Sequence, residues 1–137
     1  MNNQSARVQT PRQRILLVED DAGVRRSLQL LLQARGLDVR AYATGDALLL
    51  DPTAREAAGL VADYRMNGLD GLDVLARLRE RGWPGRALLI TAFPSAELAA
   101  RAKALGYDAV IEKPFRQNSL ADAMVGMLAH PAPGLSA

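Results

Sequence analysis

Polar side chains of complementary chemistry follow four separate apolar runs of this chain. Glu19 and Asp20 follow the first run, Asp63 the second, Thr91 the third and Lys113 the fourth. Each residue alone has an ordinary structural explanation, because acids after strands often form turns or cap helices and threonine suits a strand. Acids, a hydroxyl and an ammonium at equivalent positions together favour a shared site instead.

The chemistry that these groups could share is phosphoryl transfer. Carboxylates that lie close together repel one another unless a cation lies among them. Hard oxygen ligands without histidine or cysteine favour Mg²⁺ over zinc or copper. A carboxylate can attack phosphorus as a nucleophile and form an acyl phosphate. Mg²⁺ and the Lys113 ammonium would supply positive charge, and the Thr91 hydroxyl would donate to a phosphoryl oxygen.

An alternation of strand and helix patterns would bring the polar residues to one place. Each apolar run has the length of a buried strand, and a helical pattern follows it. Such alternation predicts a parallel sheet with helices on both faces, whose ligand crevice lies beyond the carboxyl ends of the strands. The strands are expected at residues 15–18, 39–43, 60–62, 87–90 and 109–111.

Capping residues predict where several helices begin. Thr44, Ser95 and Asn118 are expected to cap the second, fourth and fifth helices with their side chains. The second helix should stop at Leu50, because Pro52 disfavours its continuation, and residues 51–59 could extend or restart it. The first helix is expected to carry the stripe Val24, Leu28, Leu31 and Arg35.

Composition indicates one ordinary globular domain. The chain has 137 residues, 49% of them hydrophobic, and no cysteine, which excludes a disulfide framework or thiolate metal site. No apolar run approaches the roughly 20 residues of a membrane span and no signal peptide is apparent, so a cytoplasmic protein is expected. A net charge of +2 is too small to indicate nucleic-acid binding.

The two ends of the chain lack the strand and helix patterns of its centre. Residues 1–13 are polar and aperiodic, which predicts a disordered leader, and prolines 131 and 133 predict a disordered tail over residues 130–137. Residues 14–129 are expected to form the folded domain.

Four segments carry a resemblance to a known family. In order they are LLVEDD, VADYRMNGLDGL, LLITAF and VIEKPF, and they resemble the receiver domains of two-component response regulators. The resemblance runs from about Ile15 to Leu128. It implies an α/β fold of the flavodoxin-like receiver type, a doubly wound parallel sheet of five strands in the order 2-1-3-4-5 with five helices.

The resemblance also implies a phosphorylation site that depends on Mg²⁺. Asp63 is similar to the phosphoacceptor of the family, and Glu19 and Asp20 are similar to the acidic pair that binds the metal. Arg65 would contribute its backbone carbonyl to the same ion.

Two residues of this chain match the family's switch, and two depart from its pattern. Thr91 resembles the switch hydroxyl and Lys113 the phosphoryl-binding lysine, with a cis bond expected from Lys113 to Pro114. Asn67 replaces the usual proline, which is expected to have little consequence. Val110 replaces an aromatic residue that often swings inward on phosphorylation, so a different readout is expected.

The implied function is a signalling switch rather than an enzyme. The phosphoryl donor would be a sensor histidine kinase or a histidine phosphotransfer protein. Phosphorylation would alter the face formed by the fourth helix, fifth strand and fifth helix, which would control a protein target. We expect a monomer or a weak dimer through that face, without direct binding to nucleic acid or membrane. Because the chain ends after the fifth helix, a stand-alone receiver is expected.

Two other functions fit part of the pattern. A phosphatase of the haloacid-dehalogenase type also uses an aspartate nucleophile and Mg²⁺, but it requires an acid two positions later, where this chain has Arg65. An interaction module independent of phosphorylation would not require Asp63, Thr91 and Lys113, and all three are present.

Arg65 and Phe93 lie two positions beyond Asp63 and Thr91. In the loop geometry of the family these positions flank the approach of water to the phosphorus. An apolar ring and a guanidinium are expected to exclude that water, because neither is suited to act as a general base. The alternative is that Phe93 packs on the fourth helix while Arg65 points into solvent.

Overall fold

The computed structural model describes residues 12–116 and 118–130. Its strands form one parallel sheet in the order β2-β1-β3-β4-β5, which confirms the predicted fold class. Apart from residues 12, 13 and 130, the predicted leader and tail lie outside the described residues. The strands are β1 (Arg14–Val18), β2 (Asp38–Tyr42), β3 (Gly59–Asp63), β4 (Arg86–Thr91) and β5 (Ala109–Glu112).

Helices cover both faces of the sheet. One apolar cluster joins the sheet to α1 and α5, and a second joins it to α2, α3 and α4. This arrangement has three layers, helix, sheet and helix, as strand and helix alternation predicts. The helices are α1 (Ala22–Gln33), α2 (Gly45–Leu50), α3 (Gly71–Glu80), α4 (Ala96–Leu105) and α5 (Ser119–Leu128).

The central strands are buried on both faces, which explains their continuous apolar sequence. Ile15 and Leu17 of β1 face the α1 and α5 side, whereas Leu16 and Val18 face the other cluster. All four have no exposed surface. The alternation follows from the two-residue repeat of a strand. Each fully buried side chain of this size contributes about 1.5–3 kcal/mol relative to leaving it exposed.

Two of the three predicted helix caps are confirmed. The hydroxyl of Thr44 accepts from the backbone N–H of Ala47 at 3.1 Å, and that of Ser95 from Leu98 at 3.0 Å. Asn118 stands at the N-cap position of α5, but its side chain makes no capping bond, so that prediction is wrong. The backbone of Asn118 has φ −103° and ψ −3° instead of the extended conformation that directs a capping side chain.

The buried stripe of α1 differs from the predicted one. Leu28 and Leu32 are buried, with 1% and 0% exposure, whereas Leu31 is half-buried and Arg35 is exposed. A spacing of four residues keeps Leu28 and Leu32 on one helical face. Arg35 follows the end of α1 and forms an ion pair with Asp122 of α5.

Asp51 organises the connection between α2 and β3, where the helix restarts as a short 3₁₀ turn at Ala54–Glu56. One carboxylate oxygen accepts from the Tyr42 hydroxyl at 2.6 Å, and the other accepts from the backbone N–H and hydroxyl of Thr53 at 2.8 and 2.7 Å. These hydrogen bonds, with the Tyr42 bond the strongest, lower the pKa of Asp51 from 3.8 to about 2.

Tyr42→Phe is expected to raise the pKa of Asp51 from about 2 toward 3.8, because the strongest bond to the charged form is lost. A pKa that folding lowers stabilises the folded state above pH 3.8, and this stabilisation is lost as the pH falls toward 2. Titration of the carboxyl ¹³C signal by NMR would measure the shift. Tyr107→Phe is the matched control, because that hydroxyl donates to Gly71. An unchanged Asp51 titration in Tyr42→Phe would contradict the assignment.

No helix within residues 12–116 and 118–130 combines the length and the apolar character that crossing a bilayer requires.

Candidate functional site

The register of the strands brings the predicted site residues to one edge of the sheet. Val18 of β1 pairs with Ala62 of β3, so Glu19 and Asp63, the residues that follow, lie side by side. Asp63 in turn pairs with Ile90 of β4, which Thr91 follows. Parallel strands therefore place acids and hydroxyl at their shared carboxyl end, as the sequence predicts.

Three carboxylates form the centre of the site. One oxygen from each of Glu19, Asp20 and Asp63 lies within 4.8 Å of the other two. Glu19 is 1% and Asp63 6% exposed, whereas Asp20 is exposed, so the cluster opens toward solvent on the side of Asp20. Carboxylate oxygens are the ligands that Mg²⁺ prefers. The donor set therefore fits Mg²⁺, as the sequence predicts.

Lys113 supplies a cation to the two buried acids of the cluster. Its Nζ donates to Glu19 Oε1 and to Asp63 Oδ2, each at 3.2 Å, and the Lys113–Pro114 bond is cis, as the resemblance implies. Burial alone would lower the pKa of the ammonium. The charges of Glu19 and Asp63 outweigh that effect, and with their hydrogen bonds they raise its pKa above 10.5.

Burial makes the negative charge of Glu19 unfavourable in this position. Burial raises its pKa above 4.5, and the neighbouring charge of Asp63 adds to the rise. The backbone N–H of Asp21, which donates to Glu19 Oε2 at 3.1 Å, and the Lys113 ammonium oppose it. A further cation beside Glu19 and Asp63 would favour their charged forms, which is the electrostatic condition for binding a metal ion.

Thr91 is buried with its hydroxyl at the same edge. It is 1% exposed, and its Oγ1 accepts from the backbone N–H of Phe93 at 3.1 Å. Because that bond uses a lone pair, the O–H hydrogen stays available as a donor. The backbone N–H of Lys113 donates to the Thr91 carbonyl at 2.8 Å. This backbone hydrogen bond keeps Thr91 and Lys113 next to each other at the sheet edge.

The loop after Asp63 folds back so that α3 begins close to Asp63. Asp70 and Asp73 form a capping box at the start of α3, and the N–H of Gly71 donates to the Tyr64 carbonyl at 3.0 Å. A Cβ at Gly71 would lie 2.6 Å from the Asp63 carbonyl oxygen. Only glycine allows α3 to begin this near to Asp63, and the second glycine of NGLDG is the sequence signal for it.

Asn67 makes a backbone contact with the acidic cluster. Its backbone N–H donates to Asp20 Oδ2 at 3.4 Å. Proline, the usual residue of the family here, has no N–H and could not make this bond. The expectation that the change has little consequence stays a prediction, and this bond is the contact through which Asn67 could act on the acidic cluster.

Sequence reasoning also missed Arg25. Its guanidinium donates to the backbone carbonyls of Glu19 at 2.8 Å and Asp20 at 3.5 Å, and so holds the segment that carries the acidic pair. The neighbouring Arg26 has the same residue type on the same helix. No pattern in the sequence distinguishes the two arginines.

Arg65 and Phe93 meet above the β3 and β4 ends. The Arg65 guanidinium lies 6.0 Å from the centre of the Phe93 ring and 5.8 Å from that of Tyr64, distances that allow a cation–π interaction. Phe93 is 71% exposed, and with Arg65 it lines a cavity beside Leu98 and Arg101 of α4. The pair lies together, as the shielding hypothesis requires.

A parallel sheet of order 2-1-3-4-5 with carboxylates, a hydroxyl and a lysine at its carboxyl edge defines a receiver domain. The family model described as "Response regulator receiver domain" matches residues 15–125. The chain belongs to this family.

Transcriptional regulatory proteins are among its relatives. The chain is 33% identical to FixJ of Bradyrhizobium diazoefficiens over 111 residues, which are 81% of this chain and 54% of that protein. It is 32% identical to TdiR of Thauera aromatica over 115 residues, which are 84% of this chain and 51% of that protein. The chain thus spans about half the length of the curated relatives it matches.

Solved structures share the fold. A putative response regulator from Chloroflexus aurantiacus superposes with a TM-score of 0.78 at 26% identity, covering 87% of this chain and 99% of that one. A CheY-like receiver domain protein from Methanospirillum hungatei has a TM-score of 0.80 at 23% identity, with 87% and 95% coverage. At that identity the second likeness shows the fold alone.

Proposed function

We propose that the chain is a phosphorylation-activated signalling switch, with Asp63 as the phosphoacceptor. The observation that carries the proposal is the position of Asp63 between an acidic pair and a lysine. Its carboxylate lies within 4.8 Å of the Glu19 and Asp20 oxygens and accepts from Lys113 Nζ at 3.2 Å. A candidate nucleophile, carboxylates that could hold a metal ion and a positive charge thus lie together, as phosphoryl transfer requires.

Asp63 would act as the nucleophile toward a phosphohistidine. One carboxylate oxygen forms a bond to phosphorus as the bond from phosphorus to the imidazole nitrogen breaks. That nitrogen keeps the electron pair of the broken bond, and the donor is left as histidine. The carboxylates of Glu19, Asp20 and Asp63 and the backbone carbonyl of Arg65 would hold Mg²⁺, whose charge would neutralise the phosphoryl oxygens.

Lys113 and Thr91 would bind the transferred group. The Lys113 ammonium now bridges Glu19 and Asp63, and a phosphoryl oxygen on Asp63 would become its partner in a charge-assisted hydrogen bond. The free O–H of Thr91 would donate to another oxygen. Since the Thr91 hydroxyl also accepts from the N–H of Phe93, its movement would displace the loop that leads to α4.

The output would be a change on the face formed by α4, β5 and α5. We propose a sensor histidine kinase or histidine phosphotransfer protein as the donor, and a cytoplasmic location for the chain. The proposed target is a protein or a second copy of the chain. Val110 of β5 is a partly buried aliphatic residue. It offers no ring to swing, so Thr91 and the loop after it would carry the change.

Intact mass spectrometry after incubation with acetyl phosphate tests the function. We expect one phosphoryl group to be added in the presence of Mg²⁺, and peptide mapping should place it on Asp63. Excess chelator should prevent the addition, because the acids then lack the cation that offsets their charge. Addition that is unaffected by Mg²⁺ removal would contradict the metal site, and addition on another residue would contradict the phosphoacceptor.

Arg65→Ala and Phe93→Ala are each expected to shorten the lifetime of the phosphoryl group on Asp63. The two side chains lie together, two positions beyond Asp63 and Thr91, and would cover the approach of water in line with the phosphorus. An uncovered water path lowers the barrier by ~1 kcal/mol or more, a several-fold increase in hydrolysis rate. The rate is measured from the decay of the phosphoprotein after removal of acetyl phosphate.

Arg77→Ala is the control for the two shielding variants, because Arg77 is an exposed arginine on the outer side of α3. It should lose phosphoryl at the wild-type rate. The shielding hypothesis is wrong if Arg65→Ala and Phe93→Ala also decay at that rate.

A further inference from the structure

Tyr107 is a buried tyrosine that the proposed switch does not use. It lies between α4 and β5 and is 4% exposed. Its hydroxyl donates to the carbonyl oxygen of Gly71 at 2.7 Å. A buried tyrosine hydroxyl usually has such a partner, since leaving it unpaired is unfavourable. Here the partner belongs to a different part of the molecule, the first residue of α3.

Gly71, which accepts this bond, lies close to the backbone of Asp63. A Cβ at Gly71 would lie 2.6 Å from the carbonyl oxygen of Asp63. The N–H of Gly71 also donates to the carbonyl of Tyr64, the residue after Asp63, at 3.0 Å. A displacement of the Asp63 backbone would therefore be passed to Gly71 by direct contact, because close-packed groups do not compress.

The other end of Tyr107 is fixed to the α4–β5 turn, which we define as residues 106–108. The backbone N–H of Tyr107 donates to Ala102 of α4 at 3.0 Å, and Gly106 ends that helix with a φ of +106°. The guanidinium of Arg79 donates to the Gly106 carbonyl at 3.1 Å. The ring of Tyr107 therefore spans from a fixed turn to the first turn of α3.

We propose that Tyr107 is a positioning residue that couples Asp63 to the α4–β5 turn. Its ring is rigid apart from two side-chain torsions, and its bonded hydroxyl is buried. When a group added to Asp63 displaces Gly71, the ring and the turn move with it or the hydroxyl bond breaks. This inference rests on the proposed function, because the displacement begins with phosphorylation of Asp63.

The position of Val110 supports a polar link of this kind. Val110 lies on β5 and packs against the same apolar cluster that contains Tyr107. It has no polar atom in its side chain and can report a change only through packing. Tyr107 instead makes a directional bond to the segment beside Asp63, and a directional bond has two discrete states, made and broken.

The test compares the NMR response to beryllofluoride and Mg²⁺, a phosphoryl mimic, in the wild type and in Tyr107→Phe. Phenylalanine keeps the buried ring and removes only the hydroxyl. We expect the amide shift changes at residues 102–108 to fall to about half or less of their wild-type size. The changes at Asp63 and Tyr64, and the extent of phosphorylation by acetyl phosphate, should remain as in the wild type.

Tyr42→Phe is the matched control, because it removes another bonded tyrosine hydroxyl, one that donates to Asp51. It should keep the wild-type response at residues 102–108, which a general loss of stability would not do. A full response in Tyr107→Phe, or an equal loss in Tyr42→Phe, overturns the coupling role alone. If the wild type itself gains no phosphoryl group, the proposed function fails and this inference fails with it.

Discussion

Asp63→Asn is expected to abolish phosphorylation while the protein remains folded. The amide has nearly the shape of the carboxylate, and its oxygen can still accept from Lys113 Nζ, which lies 3.2 Å from the Asp63 carboxylate. An amide oxygen is a poor nucleophile toward phosphorus, so no acyl phosphate forms. The substitution also removes one of the carboxylates that would hold Mg²⁺. We therefore expect Asp63→Asn to lose the chemistry and also to weaken the proposed binding of Mg²⁺.

The measurement is intact mass after incubation with acetyl phosphate and Mg²⁺. Asp46→Asn is the matched control, because Asp46 is an exposed aspartate in the first turn of α2, and it should gain a phosphoryl group like the wild type. Asp20→Asn should be intermediate, with phosphorylation restored by more Mg²⁺, since Asp20 is the proposed metal ligand at the open side of the cluster. An unchanged phosphoryl adduct in Asp63→Asn would show that another residue accepts the group.

The location of the site was predictable because it depends on strand ends. The apolar run 15–18 and the acids after it are visible in the sequence, and parallel pairing necessarily brings such ends together. The strand order depended on the resemblance to receiver domains, because alternating patterns alone are compatible with several orders. Capping by Thr44 and Ser95 was predictable because it is local, since a cap bond joins residues only three apart in the sequence.

Contacts through the backbone were not predictable from residue types. The N–H of Asn67 holds Asp20, and any residue except proline could supply it. Arg25 reaches two carbonyls because the first turn of α1 faces them. The hydroxyl of Tyr107 meets Gly71, a partner 36 residues away in the sequence. Such pairs depend on how helices are placed on the sheet, which local patterns do not specify.

The burial of the acids at the site explains why a lysine lies beside them. Glu19 is 1% exposed, and its buried charge is unfavourable without a partner. Lys113 Nζ lies at 3.2 Å from both Glu19 and Asp63 and is a cation that these two acids share. A metal ion and a phosphoryl group would change this balance, because the lysine would then turn from the carboxylates to the phosphoryl oxygens.

Lys113→Ala is expected to reduce phosphorylation of Asp63 by roughly 10- to 100-fold, since a hydrogen bond to a charged group contributes about 1.5–3 kcal/mol. The fold should persist, because the N–H of Asp21 still donates to Glu19 at 3.1 Å. Removing the ammonium leaves two buried acids without their shared cation. Chelator should therefore lower the thermal stability of this variant more than that of the wild type.

The measurements are the initial rate of phosphorylation, by intact mass with acetyl phosphate, and thermal unfolding followed by circular dichroism with Mg²⁺ and with chelator. Lys103→Ala is the matched control, because Lys103 is an exposed lysine in the last turn of α4, and both measurements should match the wild type. A Lys113→Ala protein that is phosphorylated at the normal rate but unfolds even with Mg²⁺ would show that Lys113 is a structural residue. If the Lys113→Ala protein unfolds at the wild-type temperature but is phosphorylated much more slowly, the main role of Lys113 is to bind the phosphoryl group.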